Sequence, residues 1–226
     1  MESYTYLLVN LACVSIPLIA SFYPKHAFYK KWFAFIKASL IVAIIFLIWD
    51  YWFTKIGVWG FNEYYLTGIY LLNLPLEEVL FFICIPYCCV FTYFTFQYLF
   101  KKNLFDKTFP IINYSLIIVL FIAAILNYNK LYTSITFFST SAYLSYLAFR
   151  KINLSYYYLS YLCILPFFLL SNGILTGSFL VDPIVWYNDT ENLGIRLFNI
   201  PIEDSIYGLL LIFMNIQLFD YFNSKA

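Results

Sequence analysis

The sequence predicts an all-α fold: a polytopic membrane bundle of about seven transmembrane helices, made of two three-helix repeats joined by a linking helix. Three observations predict it. Hydrophobic residues make up 63% of the 226-residue chain and charged residues only 11%, whereas soluble domains sit near ~45–50% apolar and ~25% charged. Seven stretches, roughly 4–22, 33–53, 75–98, 110–127, 131–149, 157–175 and 200–222, approach the ~20 apolar residues that cross a bilayer. Finally, one polar-flanked segment occurs twice.

The first run, Tyr4–Phe22, follows Glu2 and precedes the lysines. That is the reverse of a secretory leader, so the run is expected to remain as a helix. Pro17, Pro86 and Pro166 fall inside spans, where proline kinks a helix. The turn at Tyr128–Lys130 is short enough to make spans four and five a tight hairpin. Two longer connections, about 54–74 and 176–199, carry aromatics and glycines. They are expected to lie in the interface or to fold back over a cavity. The chain reads as a single membrane domain, 1–226, with repeat one at 1–109, a linking helix at 110–127 and repeat two at 128–226.

Lysine and arginine set the orientation. Lys25, Lys30, Lys31, Lys101, Lys102, Lys107, Arg150 and Lys151 fall in loops one, three and five, against Lys55, Lys130 and Arg196 in the others. This predicts an outside N-terminus and a cytoplasmic C-terminus, in the cell membrane. Ten of the twelve acids fall on the outer side, all but Asp106 and Asp220. Acids contribute little to topology, so their bias points to a site at that face.

"FNEYYLTGIYLLNLPLEE" (Phe61–Glu78) aligns without a gap with "YNDTENLGIRLFNIPIED" (Tyr187–Asp204), at an offset of 126. Seven of the eighteen positions are identical, among them Asn62/Asn188, Pro75/Pro201 and Glu77/Glu203, and Glu78/Asp204 is conservative. Each segment precedes the third helix of its set. The linking helix returns the chain to its starting side, so the repeats are parallel, related by an axis along the membrane normal. Both carboxylate pairs then reach the same face.

Pro-x-Glu-Glu also makes a good helix start. Proline suits the first turn, and acids there gain about 0.3–1 kcal/mol from the macrodipole. That does not explain two acids in both copies. A charge at the centre of a membrane helix costs about 2.5–3.5 kcal/mol on insertion scales, and acids in membrane helices are functional candidates. Adjacent helical positions differ by about 100°, so one carboxyl can face the bundle while its neighbour faces a loop. A protonated, partly desolvated carboxyl is a general acid, and an ionised neighbour is a base or cation stabiliser. The candidate catalytic residues are therefore Glu77, Glu78, Glu203 and Asp204. Asp50 ends span two, and Asn172, near the end of span six, is its approximate counterpart. Asn215 lies eleven residues beyond Asp204, about 20° away on the wheel, where it serves either the site or an interhelical hydrogen bond. Trp59, Phe61, Phe81, Phe82, Tyr187 and Tyr207 are near enough in sequence to line a cavity and face a cation.

Other chemistry is disfavoured. The net charge of +1 does not suggest nucleic-acid binding. The five cysteines lie in apolar runs and read as packing residues, and His26 is the single histidine, in a lysine-rich loop. No metal site is expected. No GxGxxG, P-loop or HExxH occurs, so no cofactor is predicted, FAD and NAD included.

At Pro75-Leu76-Glu77-Glu78 and Pro201-Ile202-Glu203-Asp204, with the "FN…G" and "YN…LGI" segments before them, the chain resembles the membrane-embedded lycopene cyclase family. The resemblance spans essentially the whole chain and suggests the fused two-repeat form, without an appended prenyl-synthase domain. It implies acid-catalysed closure of the ψ-ends of lycopene to β-type rings, without net redox change. Glu77 or Glu203 would be the acid. Glu78 or Asp204 would hold the cation or take the departing proton. Pro75, Pro201, Asp50, Asn172, Asn62, Asn188, Trp59, Phe81, Tyr207 and Asn215 would bind substrate or support the site. The partners implied are a carotenoid in the bilayer, membrane lipid and other carotenoid-pathway enzymes. An ion or proton channel and a non-catalytic membrane assembly protein are the alternatives. A retinal protein is disfavoured because the last span lacks a lysine.

Overall fold

The computed structural model describes residues 2–101 and 103–225. Lys102, one of the lysines counted above, lies outside them. Among the described residues, seven α-helices run at α1 (Thr5–Ala20), α2 (Trp32–Ile56), α3 (Leu76–Leu99), α4 (Phe109–Leu126), α5 (Leu131–Phe149), α6 (Ser155–Leu175) and α7 (Ile202–Asn223). Six are long and apolar enough to cross a membrane. The seventh, α5, is the same length class but carries Thr133, Ser134, Thr136, Thr140 and Ser141 as buried residues. Its polar side is turned inward, which explains why composition alone reads it weakly. Pro17, Pro86 and Pro166 all sit inside continuous helices.

The packing follows a pseudo-twofold. Helix α1 lies on α3 as α5 lies on α7, and α2 lies on α7 as α6 lies on α3, with α3 and α7 meeting at the centre. The linking helix α4 stands outside this set and packs on α5.

The two long connections do not lie loose in the interface. Strand β1 (Trp59–Phe61) of the first pairs antiparallel with β4 (Val185–Tyr187) of the second, in the register Trp59↔Tyr187, Gly60↔Trp186 and Phe61↔Val185. Under the 126-residue offset this register is self-complementary, with Gly60 and Trp186 as equivalent residues facing each other on the axis. The Asn62 N–H donates to the Ile184 carbonyl and the Asn188 N–H to the Val58 carbonyl, both at 2.8 Å, extending the same symmetry. Two equivalent side chains on one face of a twofold strand pair cannot both be large. A Cβ on Gly60 would stand 2.3 Å from the Trp186 ring, so the indole fills the space that the glycine leaves.

Each connection ends in a small hairpin. Strands β2 (Tyr70–Leu71) and β3 (Leu74–Pro75) form one; β5 (Arg196–Leu197) and β6 (Ile200–Pro201) form the other. Leu72 and Phe198 take the left-handed conformation at the two tips, with φ of 59° and 57°. The prolines close the hairpins and lead directly into α3 and α7.

Gly60→Ala should destabilise the protein by about 1–3 kcal/mol through overpacking, and Trp186→Ala in the same chain should recover part of the loss. Denaturation of the detergent-purified single and double variants measures both.

Candidate active site

The acids that open α3 and α7 split into two kinds. Glu77 and Glu203 turn back towards their own loops. Each accepts one backbone N–H, from Thr67 and from Leu193, at 2.7 Å in both repeats. Glu203 also accepts the Thr133 hydroxyl at 2.6 Å. Both residues are fully buried, and one oxygen of each has no partner. They lie behind the hairpins, away from the cavity wall.

Glu78 and Asp204, about 100° further round their helices, face the cavity instead. Both line a cavity of about 780 Å³, well within the ~300–1,000 Å³ of ligand pockets. Asp50 and Asn172 line it too. Three carboxyls thus share one largely apolar chamber, all of them buried.

Each carboxyl is met by a ring donor. The Tyr6 hydroxyl donates to Glu78. The Trp59 indole N–H donates to Asp50 at 2.5 Å. Asp204 accepts three bonds: from Tyr132 at 2.5 Å, the Asn172 amide at 2.6 Å and Tyr187 at 2.9 Å. Asp50 keeps one buried oxygen without a partner.

Tyr6 and Tyr132 did not come out of the sequence reading as site residues. The signal was present: they stand 126 residues apart, at the offset of the repeat, outside the eighteen-residue segment that shows it. Their equivalence extends to their contacts, since each donates to the second carboxyl of its own Pro-x-Glu-Glu/Asp motif.

The pairing of Asp50 with Asn172 has a structural basis. Asn73 donates to the Tyr51 carbonyl at 3.1 Å, and its equivalent Asn199 donates to the Gly173 carbonyl at 3.1 Å. This sets Tyr51 opposite Gly173, and therefore Asp50 opposite Asn172. The amide sits where it can donate to Asp204; its carboxyl counterpart cannot donate so when ionised. The two halves of the site are related but not alike.

The other predicted positions separate clearly. Trp59, Phe61, Phe81, Tyr187 and Tyr207 line the cavity, with the Trp59 ring 5.1 Å from Tyr132 and 6.2 Å from both Tyr187 and Tyr207. Phe82 packs instead in the neighbouring apolar cluster with Phe46. Asn62 and Asn188 each accept a backbone N–H two residues on, at 3.1 Å, so they shape the loops and do not line the chamber. Pro75 and Pro201 build the hairpins. Asn215 donates to the Leu211 carbonyl at 2.9 Å within its own helix and does not reach the cavity. Sharing a helical face with Asp204 was not enough, because eleven residues also carry it about 16 Å down the helix.

The cavity opens between α1 and α6. Leu8, Ile16, Phe167 and Leu170 line it and are also 56%, 75%, 73% and 61% exposed on the outer surface. In a bilayer that surface faces lipid. A loop roof of Trp59, Phe61, Val185 and Tyr187 covers the end towards water.

The lycopene cyclase family model matches the chain twice, over residues 3–96 and again over residues 129–222. The matches are themselves 126 residues apart and leave out α4. The chain belongs to the lycopene cyclase family. No curated protein and no solved structure matches it significantly. Membership supports a carotenoid cyclase function, and the apolar helices agree with a membrane protein.

Glu77→Ala should leave the half-buried Thr67 N–H without its acceptor, at a cost of about 1–3 kcal/mol. Glu77→Gln keeps an acceptor oxygen and should cost less. Thermal unfolding in detergent compares the two.

Proposed function

We propose that this chain is a lycopene cyclase that converts the acyclic ψ-ends of lycopene to β-type rings, as an intramolecular lyase working by acid catalysis. The observation that supports this is the trio Asp50, Glu78 and Asp204 on the wall of one apolar cavity that opens towards lipid. A long polyene dissolved in the bilayer can reach such a site without crossing water.

The reaction balances without an electron carrier. A carboxyl O–H gives its proton to the terminal double bond. The next double bond attacks the resulting cation, forming the ring C–C bond. The ring cation then loses a proton, and the product is an isomer of the substrate. Glu78 and Asp50 line the same apolar cavity and serve as a pair holding one proton, since two carboxyls in one such chamber disfavour double ionisation. Glu78 gives that proton; the carboxylate left behind takes the ring proton, so the pair is reset. Asp204, with three neutral donors, carries negative charge beside the cation, and the π faces of Trp59, Phe81, Tyr187 and Tyr207 add to its stabilisation. Glu77 and Glu203 hold the loops that carry these groups. The protein lies in the cell membrane with its N-terminus outside and its C-terminus in the cytoplasm, as the lysine and arginine bias suggests.

Glu78→Gln and Asp204→Asn should each lower ring formation at least ~100-fold, the scale of lost acid–base catalysis. Glu77→Gln and Glu203→Gln should keep most of it. Chromatography of pigments from lycopene-accumulating membranes, normalised to inserted protein, measures all four. Full activity in both Glu78→Gln and Asp204→Asn would remove these residues from the mechanism.

A further inference from the structure

The carboxyls occupy only one end of the cavity. Glu78 and Thr92 both line it, fourteen residues apart on α3 and so separated by about 21 Å along the helix. The other walls run the same way: α1 lines it from Thr5 to Pro17, α7 from Asp204 to Ile212, and α6 from Leu175 back to Ile164. The cavity is a slot along the helices. Asp50, Glu78 and Asp204 stand at its roofed end, and Phe91 and Thr92 at the other.

Small residues make the slot. The Tyr51/Gly173 equivalence sets Ser171 on its wall opposite Trp49 in the other half. The 126-residue offset sets Pro17 opposite Tyr143 and Cys88 opposite Met214. Trp49, Tyr143 and Met214 pack into a closed core around Phe46 and Phe82, whereas Ser171, Pro17 and Cys88 leave room.

Below the carboxyls the polar groups of the wall are spent on the wall itself. The Thr92 hydroxyl donates to the Cys88 carbonyl at 2.8 Å, and the Ser171 hydroxyl to the Phe167 carbonyl at 3.0 Å. Pro17 has no N–H to give the Cys13 carbonyl four residues before it. That carbonyl accepts the Cys88 thiol instead, at 3.3 Å. A thiol of α3 thus covers the backbone group that the proline of α1 leaves bare. The lining side-chain oxygen that is buried without a partner belongs to Asp50, at the roofed end. A polar occupant of the lower slot would lose its hydrogen bonds to water and gain none, so the slot suits hydrocarbon.

We propose that the lower slot, walled by Ala12, Cys13, Ile85, Cys88, Phe91 and Thr92, is a binding site for the conjugated body of a carotenoid, which lies along α3 while its ψ-end meets the carboxyls. A long apolar slot continuous with the reacting end matches a long, stiff hydrocarbon. It also makes the protein sense chain length, because each carbon that enters the slot removes more apolar surface from its surroundings, and carbons beyond Thr92 add nothing. This inference rests on the cyclase reading above.

The test uses the full chain in proteoliposomes and a series of polyenes that share one ψ-end and differ in length, with substrate expressed per mole of lipid. On the unaltered protein KM should fall as the chain lengthens and level off once the chain spans the slot. Cys88→Phe and Thr92→Phe place a ring in its path. Each should lower kcat/KM for lycopene, relative to that for a polyene too short to pass Ile85, at least ~10-fold. The loss should appear mainly in KM, and Cys88→Phe should bring the levelling to a shorter chain than Thr92→Phe does. A KM indifferent to chain length on the unaltered protein would overturn the inference: the polyene would then run out sideways past Leu8 and Leu170, with a lipid acyl chain in the slot. Variants that melt like the parent and keep its length dependence would overturn it too. Both results would leave the cyclase reading standing. Failure of the inserted parent to cyclise any member of the series would overturn both.

Discussion

A carboxyl buried in an apolar bundle must be met by hydrogen-bond donors, and the architecture is organised around that need. An unsatisfied buried polar group costs about 1–3 kcal/mol, more when charged. Five acids are buried at one end of this molecule: Asp50, Glu77, Glu78, Glu203 and Asp204. Their donors come from every part of the chain. Tyr6 reaches from α1, Tyr132 and Thr133 from α5, and Asn172 from α6. Trp59, Tyr187 and the backbone at Thr67 and Leu193 reach from the loops. The acids thus act as fasteners between helices before they act as anything else.

The adjacent acids in each motif divide this work. The first faces the loop and holds the hairpin, and the second faces the chamber. The division follows from helix geometry, since neighbours on a helix cannot point the same way. It separates a carboxyl tied to its loop from one on the cavity wall. A pair that looks redundant in sequence has two jobs in space.

The strand pair β1–β4 joins the two halves over the chamber. Its self-complementary register sets the axis, and the Gly60–Trp186 contact is the point where symmetry must break. The same breaking recurs below it. Asp50 faces Asn172 across the axis, and Trp49 faces Ser171. The repeat supplies a symmetric frame, and differences at a few positions leave one open chamber and one packed core.

Much of this was legible in the chain. Apolar runs gave the helices to within a few residues, because a bilayer demands length and hydropathy whatever the packing. The 126-residue offset in the loop segments, together with the count of helices, placed both Pro-x-Glu-Glu/Asp motifs at one face. The family resemblance rested on those same motifs. Hydropathy said less about α5, whose polar residues are hidden by tertiary packing.

What the sequence determined by itself was local or periodic: spans, repeat, orientation bias, and which residues were polar enough to matter. Tertiary structure alone decided which carboxyl of each pair faces the chamber, that Tyr6 and Tyr132 meet those carboxyls, that Asn215 stays outside, and that one niche is open while its mirror is filled. The reason is physical. Helix length and hydropathy are properties of consecutive residues, whereas a cavity is the space left between side chains far apart in the chain.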